Sequence, residues 1–118
     1  MMPWISLDLR IPLSVNHIYI HTRHNTRLTP EAESYRDAVG WDVLAQTTPE
    51  QRESLPERLT MSMVYYAMDD LDADNGLKLL VDSVFAALGR NDRDIWHLQV
   101  DRSEHVPPGR VGVQIGGS

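Results

Sequence analysis

The alternation of apolar and polar positions predicts that the chain opens with a strand. In residues 4–10, Ile5, Leu7 and Leu9 fall on one face and Ser6, Asp8 and Arg10 on the other, the period-2 pattern of a half-buried strand. Residues 14–28 are polar and rich in histidine and arginine, and read as a loop or loose hairpin. Thr29-Pro30-Glu31 marks a helix start: a hydroxyl N-cap, proline at the first helical position and an acid in the first turn. That helix is expected to run to about Gln46, with Ala32, Tyr35, Val39 and Val43 inward and Trp41 opening a flanking stripe. Residues 47–56 form a turn-rich connector. Residues 59–67 alternate again, with Leu59, Met61, Met63 and Tyr65 on the inner face.

The clearest helical period follows. From Asn75 to Leu88 the apolar residues Leu77, Leu80, Val81, Val84, Phe85 and Leu88 recur at helical spacing, and Gly89 stops the run. Residues 95–101 read as a strand with Trp96, Leu98 and Val100 inward, and Trp41, Trp96 and Tyr35 are assigned to the core. Pro107-Pro108-Gly109 turns the chain into a last strand carrying Val111, Val113 and Ile115, and residues 116–118 read as a frayed tail. The order β-α-β-α-β-β over residues 1–118 predicts one α+β domain, with two helices on a mostly antiparallel sheet.

Composition narrows the chemistry. The 118 residues include no cysteine, which excludes disulfides, thiol nucleophiles and sulfur-ligated zinc. The start of the chain lacks the pattern of a signal peptide and no apolar run is long enough to span a bilayer, so a cytoplasmic protein is expected. The net charge is −6, the reverse of the basic excess common in nucleic-acid binders. All the basic residues are arginine except Lys78, which singles that lysine out.

Between the second strand and second helix the acids crowd together: Asp69, Asp70, Asp72 and Asp74 precede Asn75 and Lys78. In extended backbone Asp70, Asp72 and Asp74 project to one side, where their mutual repulsion favours a bound cation. Oxygen-only ligands suit Mg²⁺ or Mn²⁺. Asp74 is also placed to cap the helix, and Lys78 and Asp82 follow on its polar face, one and two turns on. Asp92, beyond the helix, returns to the cluster if the next strand runs beside the one before the helix. A solvated acidic turn with Asp74 as a simple cap is the competing reading. His17, His21 and His24 lack helical patterning and a companion carboxylate, and read as exposed loop residues rather than zinc ligands.

Asp72-Ala73-Asp74-Asn75-Gly76-Leu77-Lys78, followed by Asp82 and Asp92, resembles the motif of the RusA family of Holliday-junction resolvases. A register starting at Asp70 fits worse, because it puts Ala73 and Gly76 where that family has asparagine and lysine. Pro12-Leu13-Ser14-Val15-Asn16, then Tyr19, His21 and Arg23, and the closing Pro107-Pro108-Gly109-Arg110-Val111 are similar to other family segments.

The resemblance implies a RusA-like fold and a homodimeric, Mg²⁺-dependent crossover junction endodeoxyribonuclease, with Mn²⁺ as a substitute. It would act on four-way DNA in recombination and repair, in a bacterial or phage-infected cell. Asp72, Asp74 and Asp92 would be the catalytic metal ligands and Lys78 a catalytic or phosphate-contacting base. Asn16, His21, Arg23, Arg27 and Lys78 would contact DNA, with residues 14–27 as the arm that does so. The arginine run that precedes the motif in many family members is replaced by Ala67-Met68-Asp69-Asp70. A DNA-structure-binding protein of the same fold without turnover is the alternative.

Overall fold

The computed structural model describes residues 4–12, 19–21, 26–68 and 75–117. In β1 (Ile5–Arg10) the alternation is realised residue by residue: Ile5, Leu7 and Leu9 are buried and the residues between them exposed. β2 (Tyr19–His21) and β3 (Thr26–Leu28) pair antiparallel as a separate two-stranded ribbon, so the expected loose hairpin forms. α1 (Pro30–Gln46) starts where the cap signal placed it, with Thr29 Oγ1 accepting the Ala32 N–H at 3.1 Å. The expected connector holds a further short helix, α2 (Pro49–Glu53). Thr48 and Gln51 cap it reciprocally, the Gln51 N–H donating to Thr48 Oγ1 at 3.1 Å and the Thr48 N–H to Gln51 Oε1 at 2.8 Å.

β4 (Leu59–Tyr66) leads through residues outside the described set to α3 (Asn75–Leu88). Gly89, with φ +71°, ends α3 in the left-handed region, where its N–H donates to the Ala86 carbonyl and that of Arg90 to the Phe85 carbonyl. A short 3-10 turn, Asp92–Asp94, enters β5 (Ile95–Ser103), and β6 (Arg110–Gly117) completes the chain.

The four long strands form one sheet in the order β1-β6-β4-β5. β6 is antiparallel to both its neighbours, whereas β4 and β5 run parallel, with α3 as the crossover a parallel pair requires. The α+β class therefore holds, with a mixed sheet and, among the described residues, three α-helices in place of the expected two. Leu80, Val84 and Phe85 of α3, Val39 and Val43 of α1, and Met61, Met63, Val113 and Ile115 of the sheet share one core.

Three expectations are corrected. Leu98 and Val100 do point to the helix side, since Leu98 is level with Met61 and Val100 with Met63, while Trp96 falls at a register shift. Trp96, Leu98 and Val100 are nevertheless 63%, 50% and 37% exposed, because the helix layer, α1 on β1 and α3 beside α1, stops short of β5. Trp41 is 73% exposed on the outer face of α1, so only Tyr35 of the three aromatic residues is core. Residues 116 and 117 are not a frayed tail: both lie in β6, and Gly116 sits under the Trp4 ring, where an added Cβ would come within 2.5 Å of it. The absence of a side chain is what admits the indole.

Candidate functional site

α3 carries the candidate site because one of its faces is held in the core and the other is polar. Leu80, Val84 and Phe85 fix the inner face. Lys78 is exposed and Asp82, one turn on, is half-buried. Asp92 opens the turn beyond the helix and is exposed. Asp72, Asp74, Asn16 and Arg23 lie outside the described residues. His21 belongs to β2, and Arg27 is exposed on β3, beside a cleft of about 230 Å³ that Leu28, Pro30 and Glu33 also line.

β5 does run beside β4, but in parallel, with Ile95 level with Leu59. Asp92 therefore stands at the end of the sheet where β4 begins. Asn75 opens α3 at the other end, and 14 helical residues span about 21 Å. What Asp92 meets among the described residues is Asp82. Burial raises the Asp82 pKa above the ordinary carboxylate value, and the Asp92 charge raises it further; Lys78 and Arg36 pull it down.

Asp82, Asp92 and Arg36 border a cleft of about 270 Å³, which Phe85, Arg90 and Asn91 also line. Arg36 reaches it from the exposed side of α1, which packs against α3. The ion pairs among the described residues join Arg10 to Asp42, Arg90 to Asp94 and Arg110 to Asp8. Among the described residues Arg36, Lys78, Asp82 and Asp92 form no ion pair; Arg36, Asp82 and Asp92 line the opening, and Lys78 lies one turn before Asp82. Asp82 and Arg36 are the members that sequence reasoning did not assign to the site. The i,i+4 spacing from Lys78 was a signal for Asp82; Arg36 comes from a different helix, and only helix packing brings it in.

No group of three or more His, Asp or Glu side chains gathers among the described residues. Two carboxylates suit a hydrated Mg²⁺ or Mn²⁺, which keeps several waters and completes its shell with ligand phosphates, better than a cation caged wholly by protein. The other arginines mostly serve the fold. Arg10, Arg90 and Arg110 are ion-paired, Arg52 donates to Thr47 Oγ1 at 2.7 Å, Arg102 donates to Tyr65 Oη at 2.7 Å, and Arg58 lies over the Trp96 ring. With the net charge of −6, this leaves no basic groove among the described residues.

No helix among the described residues is long and apolar enough to cross a membrane. No family model and no curated protein matches the chain. Among solved structures, the chain is similar to 2C-methyl-D-erythritol-2,4-cyclodiphosphate synthase in its CDP-bound form. The identity is 14%, covering 98% of this chain and 97% of that one, at a TM-score of 0.41. A second structure of that synthase matches at 12% identity, with the same coverage and a TM-score of 0.42. The Plasmodium vivax enzyme matches at 8% identity over 98% of this chain and 93% of that one, with a TM-score of 0.40. At these values the likeness transfers no activity. No family model supports the junction resolvases and the solved structures found are synthases, so the resolvase assignment is corrected. The nuclease activity, the role in recombination and repair and the branched-DNA partner fall with it. The engaged arginines supply the physical reason. The homodimer, expected from the resemblance and from the need to cut two opposed strands, is a separate question on which no finding bears.

Proposed function

We propose that the chain binds a divalent cation together with a small phosphorylated molecule in the cleft between α1 and α3. Asp82 and Asp92 would hold the hydrated Mg²⁺ or Mn²⁺, and Arg36, with Lys78 one turn before Asp82, would take phosphate oxygens. The observation that carries this reading is that two carboxylates and one arginine, none of them in an ion pair among the described residues, line one opening, with the Lys78 charge acting on Asp82. The repulsion that the Asp92 charge exerts on Asp82 is relieved by a cation. Flanking cations then favour an anion that shares the metal's shell. When bound, such a metal polarises a phosphate oxygen and lowers the pKa of its water.

The test is thermal unfolding with Mg²⁺, with pyrophosphate and with both. The pair together should stabilise more than either alone, by about 2.7 kcal/mol when ligand reaches a hundredfold over Kd. Asp92→Asn should remove the metal effect, and Arg36→Gln combined with Lys78→Gln should remove the pyrophosphate increment. A wild-type chain indifferent to the metal, or an Asp92→Asn variant that responds like wild type, would end the reading.

A further inference from the structure

A second cleft, of about 620 Å³, is lined by Leu55, Glu57, Arg58, Arg90, Asp94 and Trp96. Its volume lies within the range of roughly 300–1,000 Å³ common for small-molecule sites. It shares only Arg90 with the Asp82–Asp92 cleft, and Arg90 is fully engaged. Its guanidinium donates to Asp94 at 3.1 Å and to the carbonyls of Leu55, Pro56 and Glu57 at 3.2, 2.8 and 3.3 Å. One arginine thus ties the segment before β4 to the turn before β5 and neutralises Asp94, which makes a fixed floor.

The wall is built differently. The pairing of β4 with β5 shifts between Leu59 and Thr60, so that Leu59 faces Ile95, Thr60 faces His97, and Trp96 is the extra residue. Such bulges re-aim side chains. The Arg58 guanidinium carbon lies 4.1 Å from the centre of the Trp96 ring. Arg58 makes no hydrogen bond or ion pair among the described residues. Stacking uses the flat face of the guanidinium, while its N–H donors lie in its plane and remain open to an oxyanion.

We propose that this cleft binds a small planar ring bearing an oxyanion, phosphate or carboxylate, with Arg58 receiving the oxyanion and Trp96 and Leu55 packing on the ring. Glu57 stands on the cleft wall and opposes the anion, so its neutralisation should tighten binding.

The probes are phenyl phosphate and benzoate, with inorganic phosphate and benzyl alcohol as controls, all in the presence of a chelator. The readout is the Trp96 indole N–H resonance, identified by its loss in Trp96→Phe. Either ring-bearing anion should shift it saturably, and their relative affinities distinguish a phosphate from a carboxylate ligand. Both controls should bind at least about tenfold more weakly, as expected when a charge-assisted hydrogen bond and a ring contact are each removed. Arg58→Gln should weaken the ring anions by about tenfold or more, and Glu57→Gln should strengthen them. No saturable shift up to about 10 mM overturns the proposal. So does an equal response to benzyl alcohol, or an unchanged affinity in Arg58→Gln. Asp92→Asn should leave the shift intact, and a loss there would move the anion to the other cleft and equally overturn the assignment.

Discussion

β1 and β5 each form an edge of the sheet, and both alternate apolar with polar residues. On β1 the helix layer covers the inner face, and the open backbone is met by α1. The Asp8 N–H donates to Gln46 Oε1 at 2.7 Å and Gln46 Nε2 donates to the Asp8 carbonyl at 2.8 Å, so a side-chain amide stands in for a neighbouring strand. Tyr35 Oη donates to the Arg10 carbonyl at 3.0 Å, and burial pushes its pKa upward, which keeps that donor protonated. Arg10 joins Asp42 at 3.0 Å. On β5 the helix layer does not reach the apolar stripe, and Trp96, Leu98 and Val100 stay exposed. The difference teaches that alternation specifies a strand and a facing direction, while burial depends on whether another element reaches that far. An exposed apolar edge is also where unwanted strand pairing is expected.

The largest test of this contrast makes the same substitution on both edges. Leu9→Ala, at a fully buried position, should cost about 2–5 kcal/mol in denaturant unfolding. Leu98→Ala should cost under about 1 kcal/mol, because half of that side chain already meets water. Equal costs would mean that β5 is covered in solution.

Arg90→Ala should cost about 2 kcal/mol, since it removes the tie between the segment before β4 and the turn before β5. Hydrogen exchange of the β5 amides should accelerate more than that of β1. Gln46→Ala should cost about 1 kcal/mol, the contribution of partly solvated hydrogen bonds, with faster exchange confined to the Asp8 amide. Exchange that spreads to β5 would show the two edges to be coupled.

The smallest effect lies between the edges, on the polar face of α3. Because the folded chain holds the Asp82 proton more tightly than the unfolded chain, this group's contribution to stability is fullest below the ordinary carboxylate pKa. It is lost as pH rises through the raised value. In metal-free buffer, Asp82→Asn should flatten that part of the pH profile and leave the protein slightly more stable than wild type at neutral pH. A profile identical to wild type would show that Asp82 carries no such strain.

Much of the fold was legible because its signals are local. Thr29 and Pro30 marked the start of α1, the apolar period from Leu77 to Leu88 outlined α3, and Gly89 ended it, each through residues within a turn of one another. The helix α2 was legible too, in Thr48 and Gln51 three apart, but its apolar content is low and the segment resembled a loop. Of the candidate site, Lys78 and Asp92 were named from the sequence, through their places beside the helix and the family resemblance. Asp82 was seen on the polar face, yet its partner and its burial come from packing.

The sequence by itself determined where strands and helices form, which residues face the core side, and that the chain concentrates acids around α3. Those properties follow from periods of two and 3.6 and from caps that act over a few residues. Only the tertiary structure decided the parallel pairing of β4 with β5, which sets Asp92 beside Asp82, and the approach of Arg36 from α1. It alone decided that the helix layer ends before β5, leaving Trp96 in the open against Arg58. The physical reason is reach: these contacts join residues far apart in sequence, and they depend on how two helices cover four strands, which no local pattern encodes.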